Sequence, residues 1–396
     1  MVLVVMGCRY LRRVVPLVSM KASLPSIVSI ALLSRVFTVA ATDVTTEDSI
    51  RGAYFGSLVA DALCLGSHYE YDAPKIKEAY NGVIDEYMAP GEQMGGETHG
   101  VGWGARNYHP GTVKGDQTDY GEYNVLVLEH LAKSVNKVHS FDISEFIPLW
   151  QQRLTNGWKQ WICTQTKQTY QQIQQGVPVN SLGGNSNAMA LRYASVFAYY
   201  NTEDEVVDAA RKTMFTHRER TAILGNEFFA RVAYRVIHKQ ITPTEAINEV
   251  AEESDVWIQK KVKQALDKVA EASDPKNELS NEEFVDDLAL TSMARLWEVG
   301  KSEPIKVGKA SPTEGTLPGA IYFIVKYEFS LTDAAKANAM VGGDNASRSI
   351  AIGMVLGAYH GVQGIPEKFR TSLNQWNHSE VLLETFPFLK GNHPEL

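Results

Sequence analysis

Two short acidic stretches, GDQTDYGE at residues 115–122 and GGDNASRS at residues 342–349, hold the residue types best suited to chemistry in this 396-residue chain. Each sets an aspartate, Asp119 or Asp344, where a turn passes into an apolar-periodic run. An aspartate at a helix start accepts a backbone N–H of the first turn and stays ionised, because the positive end of the helix dipole faces it. A hydroxyl accompanies each carboxylate: Thr118 precedes Asp119, and Ser347 follows Asp344 by three. Brought together, these groups would form an oxygen-rich pocket suited to Mg²⁺ or Ca²⁺ rather than zinc. Taken singly, either aspartate is more readily a helix cap, and Glu122 stands at capping-box spacing from Asp119.

Six further residues could take part. Asp61 lies eleven residues after Ile50 and shares a helical face with Ile50, Tyr54 and Leu58. A carboxylate on an apolar stripe must be paired, hydrogen-bonded or bound to a metal. Glu70, in the GSHYEYD after that helix, is less constrained, and solvation would account for it. In SLGGNSNAMALR, residues 181–192, Gly183, Gly184 and Asn185 read as the approach to another helix, whose first N–H groups would make a concavity for a phosphate. His217, in FTHRER at the end of a helical run, reads first as a cap for that helix's last carbonyls.

The elements that must position these groups are helices. Thr45 and Asp48 have capping-box spacing, and Ile50, Tyr54 and Leu58 recur every four residues behind them. Residues 123–135, 203–215, 219–238, 243–272, 282–297, 318–329, 332–340 and 345–361 read as helices, with Thr242, Pro243 and Glu245 forming a capping box that has proline at the first helical position. Alternating strand-like runs are nearly absent, so the expected fold is all-α and single-domain, with long loops near residues 85–111 and 174–185. Gly353, Gly357 and Gly361 recur at four-residue spacing in the last strong helix. Glycine costs a helix ~1 kcal/mol against alanine, so the repeat suggests a close backbone approach.

The formal charge of −8 becomes −13 once residues 1–42, with five basic side chains and no acidic one, are set aside. So acidic a body repels phosphate backbones, which disfavours nucleic-acid binding. Cys8, Cys64 and Cys163 have no paired spacing and define neither a disulfide framework nor a zinc site. Residues 1–42 carry an uncharged run at 22–34 followed by Arg35 and then Val39-Ala40-Ala41, the pattern of a removable secretory signal or organelle transit peptide. The run is too short and too interrupted for a membrane span. The expected arrangement is therefore a targeting segment at 1–42 and one domain at 43–396, placing the protein in an organelle or the secretory pathway, or in the cytoplasm if the segment is not functional.

The order GSLVADALCLGSHYE, GDQTD, GGNSNAMALR, FTH and VGGDNASRSIAIGMVLGAYHG resembles the ADP-ribosylglycohydrolase family, which includes the J1-type crystallins, over residues 48–366 or so. The resemblance implies a single large orthogonal helical domain with two Mg²⁺ ions in a central cleft. It also implies hydrolysis of the glycosidic bond between ADP-ribose and a protein side chain or small acceptor. Thr118 and Asp119 would stand at the first metal motif, and Asp344 and Ser347 at the last. Asp61 or Glu70 would serve as general base or leaving-group partner beside Asp119, while Gly183, Gly184, Asn185 and His217 would line the ADP-ribose cleft. The family's first motif has Thr followed by two Asp, and here the second is Tyr120. Its last has Asp-x-Asp-Thr, and here the second Asp is Ala346. Two ions ~3.5–4 Å apart need several carboxylates to stay together, so the expectation is one weakly held Mg²⁺ or none, with Asp116 as the nearest spare carboxylate. The leading expectation is a hydrolase of this type. The alternative is a catalytically silent, crystallin-like structural protein or a binder of ADP-ribose or a nucleotide.

Overall fold

Thr45 starts the first helix, its hydroxyl accepting the Asp48 N–H at 3.1 Å. In the computed structural model, which describes residues 44–101, 103–135, 141–282, 284–292, 295–297 and 304–389, most later helices begin in a similar way. The helices are α1 (Thr46–Cys64), α2 (Ala73–Ala79), α3 (Asp119–Ser134), α4 (Ile143–Thr155), α5 (Thr164–Gln174), α6 (Glu203–Thr213), α7 (Arg220–Lys239), α8 (Pro243–Glu253), α9 (Val256–Ser273), α10 (Val285–Thr291), α11 (Thr313–Lys326), α12 (Leu331–Val341), α13 (Asn345–His360), α14 (Glu367–Ser372) and α15 (Trp376–Leu383). Two short antiparallel hairpins, β1 (Thr98–Gly100) with β2 (Gly104–Arg106) and β3 (Arg295–Trp297) with β4 (Pro304–Lys306), are the strands among the described residues. The fold is all-α. Residues 1–42, on which the expected targeting segment falls, lie outside the described residues. No helix among the described residues is long and apolar enough to cross a membrane.

Several helices differ from the periodicity reading for local reasons. The run at 243–272 is two helices, because the Asp255 carboxylate accepts the Trp257 N–H at 2.7 Å and starts α9 afresh. Among the described residues of 282–297 only α10 is helical, and residues 295–297 pair as a strand. α11 begins at Thr313, so Pro318 sits inside the helix rather than at its first position. α5, TQTKQTYQQIQ, is almost wholly polar and so gives no apolar period to read. Residues 185–194 are not a helix. They form an irregular segment, with Ala188 bridging to Pro312 and Ala190, Leu191, Tyr193 and Ala194 buried.

The centre of the fold is the antiparallel contact of α1 with α13. A Cβ added at Gly52 would collide with the Gly357 carbonyl, one at Gly56 with the Gly353 carbonyl, and the reverse holds for each partner. With glycine on both sides the two backbones touch directly. The end of α1 and the turn after it are thereby laid beside the start of α13. That start is clamped from all sides. Tyr69 N donates to Gly343 O at 2.8 Å, Asp344 N donates to Lys309 O at 2.6 Å, and the fully buried Arg348 guanidinium donates to Gly308 O at 2.9 Å and Gly342 O at 2.7 Å. Gly342 and Gly343, at φ +71° and +68°, take the left-handed backbone that the turn demands.

Gly56→Ala drives a methyl into the α13 backbone, where no side chain can yield. We expect it to lower stability by at least about 2 kcal/mol. Urea denaturation would show this as a lower midpoint with an unchanged slope.

Candidate functional site

The helix α3 is capped by Thr118, not by Asp119. The Thr118 hydroxyl accepts the Tyr120 N–H at 3.2 Å and donates to Asp61 Oδ1 at 2.7 Å, while the Thr118 N–H donates to Asp61 Oδ2 at 2.7 Å. Gly121 lies so close to the Asp61 carboxylate that a Cβ there would strike it. With its amide turned nitrogen-first, Gln117 adds a donor to Asp61 Oδ2 at 3.2 Å. Asp61 thus anchors the start of α3 from within the core, fully buried. Burial pushes its carboxyl up to about 7, against the Thr118 and Gly121 hydrogen bonds that favour the anion.

Because Thr118 does the capping, Asp119 is the first helical residue and its carboxylate is spare. Its Oδ1 is buried with no hydrogen-bond partner. Burial, reinforced by the charges of Asp344 and Asp61, raises its pKa well above the ordinary carboxylate value. Asp344 has the opposite fate. It caps α13, with Oδ1 accepting the Ser347 N–H at 3.2 Å, and it also receives His68 Nε2 at 3.2 Å on Oδ1 and the Tyr120 hydroxyl at 3.0 Å on Oδ2. Burial alone would raise its pKa, but the bonds from His68, Ser311 and Tyr120 together hold it below the usual value. Two carboxylates of the same type are therefore pushed apart, one towards the acid and one towards the anion.

Asp119 and Tyr120 form part of the wall of a cavity of about 620 Å³, within the size range of small-molecule sites. Aromatic rings dominate the wall, among them Tyr69, Tyr71, Trp103, Tyr108 and Trp161. Tyr69 holds φ at +66°, a strained value for a non-glycine residue and one often met at functional sites. Arg192 also faces the cavity. Its guanidinium stacks 3.8 Å from the Tyr123 ring centre and donates to Thr216 Oγ1 at 2.6 Å, while its Nε is buried without a partner.

The other sequence candidates divide. Asn185 and His217 line the cavity. His217 does not cap its helix: its Nδ1 meets Thr216 Oγ1 at 2.8 Å, and burial and the nearby Arg192 keep its pKa well below normal, hence neutral. Gly183 and Gly184 do not line the cavity, and the helix expected after them is absent. The Gly183 N–H is instead taken by Gln172 Oε1 at 3.1 Å, which removes the expected phosphate donor. Glu70 is drawn away by Lys75 Nζ at 2.6 Å and by the N–H groups of Tyr71, Asp72 and His99. Ser347 spends its hydroxyl on Asp344 O at 2.8 Å. Asp116 sits in a turn, accepting from Val113 N at 3.0 Å and Asn374 Nδ2 at 2.8 Å. Sequence reasoning missed His68, His109 and Arg192. His68 and Arg192 lie inside the quoted motifs, but nothing in their spacing marks Arg192 as part of the cavity wall or His68 as a partner of Asp344.

Residues 42–391 match the ADP-ribosylglycohydrolase family. The chain belongs to that family. A solved structure described as an ADP-ribosylglycohydrolase-related protein complex shares the fold at a TM-score of 0.55 and 16% identity, covering 87% of this chain and 98% of that one. No curated protein matches the sequence. ADP-ribosylglycohydrolases typically use metal ions, and among the described residues His68, His109 and Asp119 offer three ligand atoms within 4.8 Å of one another, a group that could hold a metal. A two-Mg²⁺ centre does not fit this member of the ADP-ribosylglycohydrolase family. Tyr120 and Ala346 carry no carboxylate, both Asp344 oxygens are already bonded, and the Thr118 and Ser347 hydroxyls are committed to Asp61 and the backbone. That leaves the spare oxygen of Asp119 as the hard ligand, too little for two ions that demand oxygen shells.

A carboxyl whose folded pKa exceeds its unfolded value binds more protons when folded, so its contribution to stability is lost as pH rises. For Asp61 the window runs from 3.8 to about 7. Stability should therefore fall as pH is raised through that window, and the slope should be shallower in Asp61→Asn, as measured by denaturation at a series of pH values.

Proposed function

We propose that the protein is a hydrolase acting on the glycosidic bond of an ADP-ribosylated protein or small ADP-ribosyl compound, with Asp119 as the acid. One observation carries this: a buried carboxylate oxygen without a partner stands in the wall of an aromatic cavity that also exposes Arg192. The Arg192 guanidinium suits a diphosphate, and the tyrosine and tryptophan faces suit an adenine ring. A carboxyl with a raised pKa is protonated near neutral pH and can deliver that proton to the departing nitrogen or oxygen. The anionic Asp344 stabilises the positive charge that develops on the ribose. Tyr120, whose hydroxyl hydrogen is bonded to Asp344, keeps lone pairs to accept a hydrogen bond from the water that attacks the ribose carbon as the glycosidic bond breaks, and the proton this water gives up returns to the Asp119 carboxylate. Mg²⁺ has no step here, since the donor set for a pair of ions is missing.

A specific observation favours a second reading, a crystallin-like or ADP-ribose-binding protein without turnover: Asp344 is fully satisfied by protein donors. The two readings separate on chromatographic assay of ADP-ribose release from an ADP-ribosylated peptide. Release by the wild type that drops by about 100-fold or more in Asp119→Asn, and declines as pH rises through the raised Asp119 pKa, is the expected result. Binding without release in the wild type, with release only when Tyr120→Asp and Ala346→Asp are combined, would establish a decayed enzyme instead.

A further inference from the structure

The polar groups at the head of the cavity have hydrogen directions that their partners fix. The Trp161 backbone N–H donates to His109 Nδ1 at 3.2 Å, so the proton of the neutral His109 ring sits on Nε2. That Nε2 is 2.8 Å from His68 Nδ1, which must accept, leaving the His68 proton on Nε2. His68 Nε2 then donates to Asp344 Oδ1 at 3.2 Å, and Tyr120 donates to Asp344 Oδ2 at 3.0 Å. The Trp161, His109 and His68 donors point the same way, Tyr120 donates from the opposite side, and the bonds end on one carboxylate. The His68 and His109 ring centres are 5.0 Å apart with planes at 22°, the separation that results when the two nitrogens face each other head-on.

Although their nitrogens lie close enough to Asp119 to be grouped with it as possible metal ligands, the two rings as they stand are set head-on and not as ligands of one ion. A shared ion requires the two lone pairs to converge on a third point, and it would strip the proton from His109 Nε2 while Nδ1 still faces an N–H donor. The missing carboxylates agree with this. Ala346 is fully buried, and an aspartate there without a cation would be a second charge beside Asp344. A chain of neutral donors carries no net charge and needs one carboxylate as its end point.

Building on the ADP-ribosyl reading of the cavity, we infer that this chain of hydrogen bonds, from Trp161 through His109 and His68 to Asp344 with Tyr120 on its far side, takes the place of the metal centre. It fixes Tyr120 as an acceptor for the attacking water, and in the product for the ribosyl hydroxyl that this water becomes, without a divalent cation. His68 and His109 touch no substrate in this arrangement. They are positioning residues, acting through Asp344 on a tyrosine oxygen that faces the cavity.

The test begins with the ligand-free protein, so it does not depend on the substrate. Long-range ¹⁵N–¹H spectra of the imidazoles should show both rings neutral, with protonated Nε2 and bare Nδ1, and unchanged by added Mg²⁺ or Zn²⁺. His109→Phe removes the donor to His68 and should shift the His68 Nδ1 resonance to that of a nitrogen with no hydrogen bond, the ring proton still held on Nε2 by Asp344, whereas His109→Gln, which keeps an N–H at that position, should leave it in place. A protonated Nδ1 on either ring, or a cation-induced shift of His68 Nδ1 and His109 Nε2, would overturn the inference, the latter by showing a transition-metal site. In a binding assay His109→Phe should weaken ADP-ribose about tenfold relative to His109→Gln, the worth of one well-made hydrogen bond at a charged group, and equal affinities would also overturn it. Absence of ADP-ribose binding in the wild type would count against the proposed substrate, while the spectra would still decide the hydrogen-bond chain.

Discussion

The direct backbone contact between α1 and α13 is the constraint on which the site depends. Four glycines let the two helices touch, and their antiparallel sense puts the turn after α1 against the turn before α13. That juxtaposition brings His68 to Asp344, fixes Tyr69 in its strained conformation by a bond to Gly343, and places Asp61 under the start of α3. Asp119 and Tyr120 are then the first residues of a helix whose origin α1 has set. A methyl group in that interface would move every polar group of the cavity head at once.

Burial raises the pKa of any carboxylate, and the hydrogen-bond donors around each of the three buried aspartates set how much of that rise survives. Asp61 receives donors from Thr118 and Gly121 yet still rises to about 7. Asp344 gathers His68, Ser311 and Tyr120 and stays anionic. Asp119 has no donor on Oδ1 and two carboxylates as neighbours, so its pKa lies well above the ordinary value. This division of labour arises without a cation. In a two-ion centre, by contrast, all three would be held ionised by the metal charge.

The all-α class and the helix starts at Thr45 and Thr242 were legible because capping residues and apolar periodicity are local signals. The glycine repeat at 353 and 357 was legible for the same reason, although its partners Gly52 and Gly56 were not. The phosphate turn at 183–185 was misread because a Gly-Gly before an apolar run looks the same whether a helix or a buried irregular segment comes next. Thr118 and Ser347 were assigned outward roles, yet a hydroxyl beside a helix start is easily consumed by the backbone or by a buried carboxylate such as Asp61. His68, His109 and Arg192 converge from three separate stretches of chain. Only tertiary contacts could reveal that they share a cavity with Asp119 or stand behind its wall.

On the proposed reading, this ADP-ribosylglycohydrolase fold keeps its ligand cavity while its polar head works without metal. Calorimetric titration of ADP-ribose into the protein, once with Mg²⁺ and once with a chelator, tests this most directly. The predicted result is the same affinity in both. Binding that appears only with Mg²⁺ would contradict it, because the side chains seen bonded to one another would then have to open to hold an ion.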